Sequence, residues 1–242
     1  MTRSSVGSGL PLQHLFPEVG TIDVVSDSTV SRLGILAERR WGMFTTAQAE
    51  AVGVSRKQLV RMTASGVLER LAQGVYRMAG TPPQDHESVY ATWLALGGAT
   101  SQPTETGAPA LAAAGVTAAV VHEIGDFFLD GIDFIVGSRK TTRLSDVRLR
   151  IRPLTPADTI SVNGLPTLTV ERTITDLLDL GTDTSLVDDA LREATRFGKI
   201  TDPRQLRADL AAAPARLRDD AGVLLDSLNE ILAPNAEAAL HG

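Results

Sequence analysis

The sequence predicts an α+β protein: an amino-terminal winged helix-turn-helix followed by a larger mixed α+β domain ending in helices. Three observations carry that expectation. Two helix-start signals, Thr45-Thr46-Ala47-Gln48 and Ser55-Arg56-Lys57-Gln58, stand ten residues apart around Gly53. Two β-prone segments, Val67–Leu71 and Val75–Met78, follow at once, joined by Ala72-Gln73-Gly74. Beyond Thr81-Pro82-Pro83-Gln84-Asp85, short β-prone runs give way to a series of helical patterns.

Each element of the first module has a local cause. In a capping box the hydroxyl of Thr or Ser takes an orphan helix amide, and a Gln three residues on reaches back. Two such starts so close leave room for about two turns of helix and a tight turn. Gly53 supplies that turn, because a positive φ costs it little. Ala49 is small enough for close helix approach, Val52 and Val54 flank the turn, and Leu59 and Met62 face inward. Arg56, Lys57 and Arg61 are left on the outer side of the second helix. Ahead of this, Val30–Arg40 is helical in pattern, with Leu33 and Leu36 on one face. Such a module places its second helix in the major groove and its wing on phosphates. The expected DNA-binding residues are Thr45, Thr46, Ser55, Arg56, Lys57 and Arg61, with Arg70 and Arg77 on the wing.

Charge agrees with that division. The 242 residues carry a net charge of −6. Residues 29–80, however, hold eight Arg or Lys against three acids, whereas residues 81–242 hold 14 basic and 23 acidic residues. A basic module joined to an acidic one reads as a nucleic-acid grip coupled to something with another task. The domain expectation is therefore a loose arm over 1–28, the DNA-binding unit over 29–80 and an α+β unit over 86–242. No apolar run suggests a membrane span, and the amino terminus lacks the pattern of a secretory signal, so a cytoplasmic protein is expected.

In the second unit, His86–Leu96 is helical in pattern and Gly97–Gly107 reads as loop. Ile132–Val136 and Val147–Arg152 read as strands, and Asn163-Gly164 as the turn of a hairpin. Helical patterns cover Val170–Leu180, Leu186–Phe197, Pro203–Ala212 and Leu217–Leu232.

Candidate chemistry there is thin. The chain has no Cys, and its four histidines are scattered, which excludes a disulfide framework and a thiolate metal site. Asp126, Asp130 and Asp133 lack the glycine and terminal glutamate of a calcium loop. Asp188-Asp189 and Asp219-Asp220 read as solvated faces. Arg172 and Asp176, at i and i+4 of a helix start, are placed for an ion pair. Two residues before the three lysines stand Ser55, Ser138 and Phe197, so the carboxylate-x-lysine pattern of restriction-type nucleases is missing. Phosphate-loop and kinase signatures are missing too. No catalytic residue, cofactor or metal is expected.

The residues that carry these features resemble a known family. Met43–Ala49, Gly53-Val54-Ser55-Arg56, Leu59, Gly66–Arg70 and Gln73–Arg77 are similar to the winged helix of AbiEi-type antitoxins. Val121–Asp126 is similar to that family's Leu-His-Gly-type segment, with Glu123 where the family tends to have Gly. Gly164–Leu177 is similar to its Gly-Leu-Pro…Arg-Thr…Asp-Leu segment, while Gly97–Gly115 looks like an insertion. The resemblance implies an antitoxin that represses its own promoter, double-stranded DNA bearing inverted repeats, and counters a nucleotidyltransferase-like toxin through its second domain. Direct binding, competition for the toxin's target and chemical modification are all open at this point. So is a different class, a transcription regulator whose acidic domain binds a small molecule or another protein.

Overall fold

The caps form where the sequence places them, and the first module is assembled around them. The computed structural model describes residues 27–233, so the expected arm over 1–28 lies outside the described residues but for Asp27 and Ser28. The module comprises α1 (Asp27–Ala37), β1 (Met43–Thr45), α2 (Thr46–Ala51), α3 (Arg56–Ala64), β2 (Leu68–Ala72) and β3 (Val75–Met78). The strands form an antiparallel sheet in the order β1-β3-β2. One face, with Phe44, Leu68 and Tyr76, closes over Leu33, Ala49, Leu59 and Met62 from the three helices and Val54 from the turn between α2 and α3. β1 is too short to register as a strand in sequence.

Side chains alternate along a strand, so the opposite face carries Met43, Val75 and the flanking Leu71. It is not left to water. α4 (Glu87–Ala95) lies against it, and Val89, Tyr90, Ala91, Thr92, Trp93 and Leu94 are all buried. The far side of this helix packs on a second sheet, made of β4 (Leu111–Ala113), β5 (Ile132–Val136), β6 (Val147–Ile151), β7 (Thr159–Val162) and β8 (Leu165–Leu168). Its order is β6-β5-β4-β8-β7, with β5–β6 and β4–β8 parallel and the other two pairs antiparallel. Leu111, Ala113, Phe134, Val136 and Leu165 share one core with α4, Met43 and Val75. On the back of the sheet, Ala112, Ile135 and Leu168 meet Ala118 of α5 (Gly115–Val121). Behind these comes a helical layer of α6 (Val170–Asp179), α7 (Thr184–Arg196), α8 (Pro203–Ala211) and α9 (Arg218–Leu232), packed through Ile174, Leu177, Leu191, Leu206, Leu224 and Leu228.

Two expectations about the second unit are corrected. The stretch read as an insertion, Gly97–Gly115, contains β4, the central strand of the five-stranded sheet. Alanine is depleted in strands, so Leu111-Ala112-Ala113 gives no β signal; small side chains here let α5 approach the sheet closely. The expected Arg172–Asp176 pair does not form. Asp176 receives Arg150 of β6 through two bonds of 2.9 and 2.6 Å, and the amide of Gly115 at 2.9 Å. The side chain of Asp176 is 2% exposed and that of Arg150 16%. Burial opposes the charge of Arg150, yet its bonds to Asp176 hold its pKa above the ordinary value. Arg172 instead lies 3.9 Å from Asp158.

Glu123 adopts a φ of +54°, the left-handed region. Glycine reaches that conformation without steric cost, whereas a Glu there is strained. Asp130 and Asp133 face Arg148 at 3.0 and 3.2 Å.

Removing one partner of a buried ion pair leaves an uncompensated charge. Asp176→Ala is therefore expected to lower unfolding stability by about 3–5 kcal/mol, whereas Arg172→Ala should cost no more than about 1 kcal/mol. Urea unfolding of the two variants checks this, and equal losses would contradict the assignment.

Candidate nucleic-acid interface

Both capping boxes close reciprocally. The Thr45 hydroxyl accepts the Gln48 amide at 3.2 Å while Gln48 Oε1 accepts the Thr45 amide at 2.8 Å. Ser55 and Gln58 repeat the arrangement at 3.3 and 2.9 Å. Thr45 and Ser55 are thus engaged as the caps that start α2 and α3. Between them Gly53 takes a φ of +79°, and the Val54 amide returns to the Ala49 carbonyl at 2.9 Å. Arg32 of α1 donates to the Val52 carbonyl at 2.6 Å, tying the turn to the first helix.

With Leu59 and Met62 buried, α3 presents Arg56, Lys57, Val60 and Arg61 on its exposed side. The period of 3.6 residues makes this one continuous face. Val60, 63% exposed, is a member that the charge pattern did not single out; its signal was an apolar residue between basic ones. Arg56 is 77% exposed and is steadied by Glu50 of α2 at 2.9 Å. An exposed pair of this kind contributes at most about 1 kcal/mol, so a phosphate can displace the carboxylate.

The wing lies beside that face. Thr46 donates its amide to the Gly74 carbonyl at 2.8 Å, which pins the Gln73-Gly74 tip against the start of α2. Cross-strand pairing sets Arg70 opposite Tyr76, on the side of the sheet that faces α3. A notch of about 400 Å³ results, lined by Thr46, Arg56, Val60, Arg70, Gln73, Gly74 and Tyr76. Three of the expected residues, Thr46, Arg56 and Arg70, therefore converge, and Gln73 joins them.

Arg77 does not belong to this surface. It pairs across the strands with Glu69 and Met43, on the face covered by α4. Its guanidinium, in a side chain only 11% exposed, is bound by Glu69 and Glu87. The expected phosphate contact is corrected to an internal ion pair that fastens the wing to α4.

A family match covers this same module. Residues 31–79 match the family described as "Transcriptional regulator, AbiEi antitoxin". The AbiEi-type resemblance of the caps, turn and wing thus holds over the winged helix. No curated protein matches the chain. Among solved structures, that of the RV2827C protein from Mycobacterium tuberculosis is similar over 85% of this chain and 81% of that one, with a TM-score of 0.52 and 17% identity. The shared fold extends well past the AbiEi-matching residues into the second sheet and its helices. No helix among the described residues is long and apolar enough to cross a membrane.

The two wing arginines should separate by experiment. Arg77→Ala leaves Glu69 and Glu87 without their shared cation and is expected to cost about 1–3 kcal/mol of stability. Arg70→Ala should stay within about 0.5 kcal/mol but weaken binding evenly across DNA sequences and lower the salt slope by about 1. Thermal melts and anisotropy titrations on both variants check this; an Arg77→Ala protein of unchanged melting temperature that binds DNA poorly would return Arg77 to the interface.

Proposed function

We propose that this protein is a DNA-binding antitoxin that represses its own promoter through the winged helix and neutralises a nucleotidyltransferase-like toxin through the remainder of the chain. The observation that carries the DNA-binding half is the exposed basic face of α3 set beside a pinned wing, with Arg56 and Arg70 lining one notch. In this reading α3 enters the major groove. Arg56, Lys57 and Arg61 include the base readers, Val60 is placed to meet a thymine methyl, and Arg70 holds a phosphate. Thr45, Thr46 and Ser55 stand at the helix starts that approach the backbone, where helix amides favour phosphate. The AbiEi description of residues 31–79 supports an antitoxin regulator; the toxin and the promoter are the finer part of the proposal. A regulatory protein, not an enzyme, is the reading that this family supports.

The division into a DNA-binding unit, residues 29–80, and an antitoxin unit, residues 86–242, is one of function. Met43 and Val75 share a core with Tyr90 and Trp93, so cutting at the linker would uncover apolar surface on both pieces. Tests are therefore better made on the full chain.

The full-length protein should bind a duplex from its own upstream region with strong salt dependence. The triple variant Arg56→Ala/Lys57→Ala/Arg61→Ala should lose tenfold or more in operator affinity, since one good base contact discriminates by about 1–3 kcal/mol. Co-expressed with the neighbouring toxin, the triple variant should derepress the promoter yet still protect growth. If protection follows DNA binding through every variant, the protein is a plain transcription regulator.

A further inference from the structure

Residues 81–242 are acidic as a whole, yet one segment is strongly basic. Six of the sixteen residues from 137 to 152 are Arg or Lys, and Asp146 is the single acid among them. The segment spans the loop between β5 and β6 and then β6 itself, the end strand of the five-stranded sheet. Its cations fall into two groups. Arg148 and Arg150 are held by Asp130, Asp133 and Asp176. Arg139, Lys140, Arg143 and Arg152 are exposed, and none of them makes a salt bridge among the described residues. Ser138, Thr141, Thr142 and Ser145 interleave hydroxyls with these charges.

We propose that Arg139, Lys140 and Arg143, with Arg152 on the adjoining edge, form a second phosphate-binding surface that grips duplex DNA beside the site read by α3. The inference rests on the DNA-binding reading of the winged helix. Cations and hydroxyls without an internal counter-charge match the donors that protein–DNA interfaces direct at phosphates. Charges on an end strand also discourage unwanted sheet pairing. That role accounts for Arg152 but not for three cations on a loop that belongs to no strand.

Duplex DNA is favoured over RNA by how the segment is anchored. Leu144, Val147 and Leu149 pack against the core that contains α4, Met43 and Val75. Lys140 reaches toward Gly97 at the end of α4, its Nζ 4.0 Å from where a Cβ on that glycine would sit. The basic loop and α3 are therefore parts of one packed body, joined through a helix whose middle, Val89–Leu94, is buried on all sides. A basic surface fixed in that body can take up DNA extending past the α3 site without the ordering cost of a tethered arm.

The test uses the full chain and two duplexes: a core of about one and a half helical turns from its own upstream region, and the same core extended by about one turn on each side. Wild type should bind the longer duplex several-fold more tightly, with a salt slope steeper by about two to three, at ~0.9 per neutralised phosphate. Arg139→Ala/Lys140→Ala/Arg143→Ala should keep the affinity for the core and lose the gain from the flanks. Arg139→Lys/Arg143→Lys should retain it. If the flanks add as much to the alanine variant as to wild type, the proposal is overturned while the winged-helix reading stands. If neither duplex binds, that reading fails and takes this one with it. An RNA hairpin bound by wild type and lost by the variant, with the flank gain unchanged, would assign the surface to RNA instead. Self-association of the variant on size exclusion with the flank gain intact would leave the charges an edge guard only.

Discussion

Helix α4 has no polar side along its middle: Val89, Tyr90, Ala91, Thr92, Trp93 and Leu94 are all buried. A helix apolar all round has to be covered on every side, and much of the architecture follows from that. The wing sheet supplies one cover and the five-stranded sheet the other. The three-stranded sheet consequently has apolar residues on both faces, with Phe44 and Tyr76 directed to the helix-turn-helix and Met43 and Val75 to α4. Polar contacts then fix the alignment at the amino end of α4. Arg77 sits between Glu69 and Glu87. Trp41 stacks on Tyr90 at 4.4 Å and donates its indole N–H to the Asn163 carbonyl in the β7–β8 turn at 2.9 Å. Pro82 and Pro83 end the backbone ladder there, but the core continues across them.

The parts that could be read from sequence are those whose cause is local. A cap and its partner lie three residues apart, the turn glycine lies between the two helices, and the outer face of α3 follows from helical period alone. The Asn163-Gly164 turn is equally local, with φ values of +50° and +89°. What escaped depends on distant partners or on register. Asp176 could have paired with Arg172 four residues away, but its partner is Arg150, carried across from β6. Arg70 and Arg77 look alike in sequence. Their fates differ because Arg70 stands opposite Tyr76 and Glu69 opposite Arg77, with a register shift between Arg70 and Ala72. Taking Ala72-Gln73-Gly74 as the loop leaves that register undetermined, and a shift of one residue exchanges the faces of a strand. β4 escaped for another reason: a strand of three residues, two of them alanine, at the centre of a sheet has neither length nor β-branched side chains to mark it.

The placement of charge explains why a net charge of −6 does not weigh against a DNA-binding role. At physiological salt an exposed charge is felt over about 8 Å. Packed layers of sheet and helix lie about 10 Å apart. Many of the acids of the second unit, among them Asp188, Asp189, Asp219 and Asp220, sit on α7 and α9. Those helices belong to the layer behind the five-stranded sheet, with that sheet and α4 between them and the winged helix. At that separation their field at α3 is largely screened, whereas Arg56, Lys57 and Arg61 act at contact. Glu50 does reach the basic face, and its exposed pair with Arg56 is weak enough for a phosphate to replace. The acidic layer is in turn free to serve another contact, one in which charge complementarity would raise the rate of encounter with a basic partner more than the final affinity. Opposite charges on different layers of one folded body thus permit two polyionic partners at once, provided that the basic partner approaches the helical layer behind the five-stranded sheet.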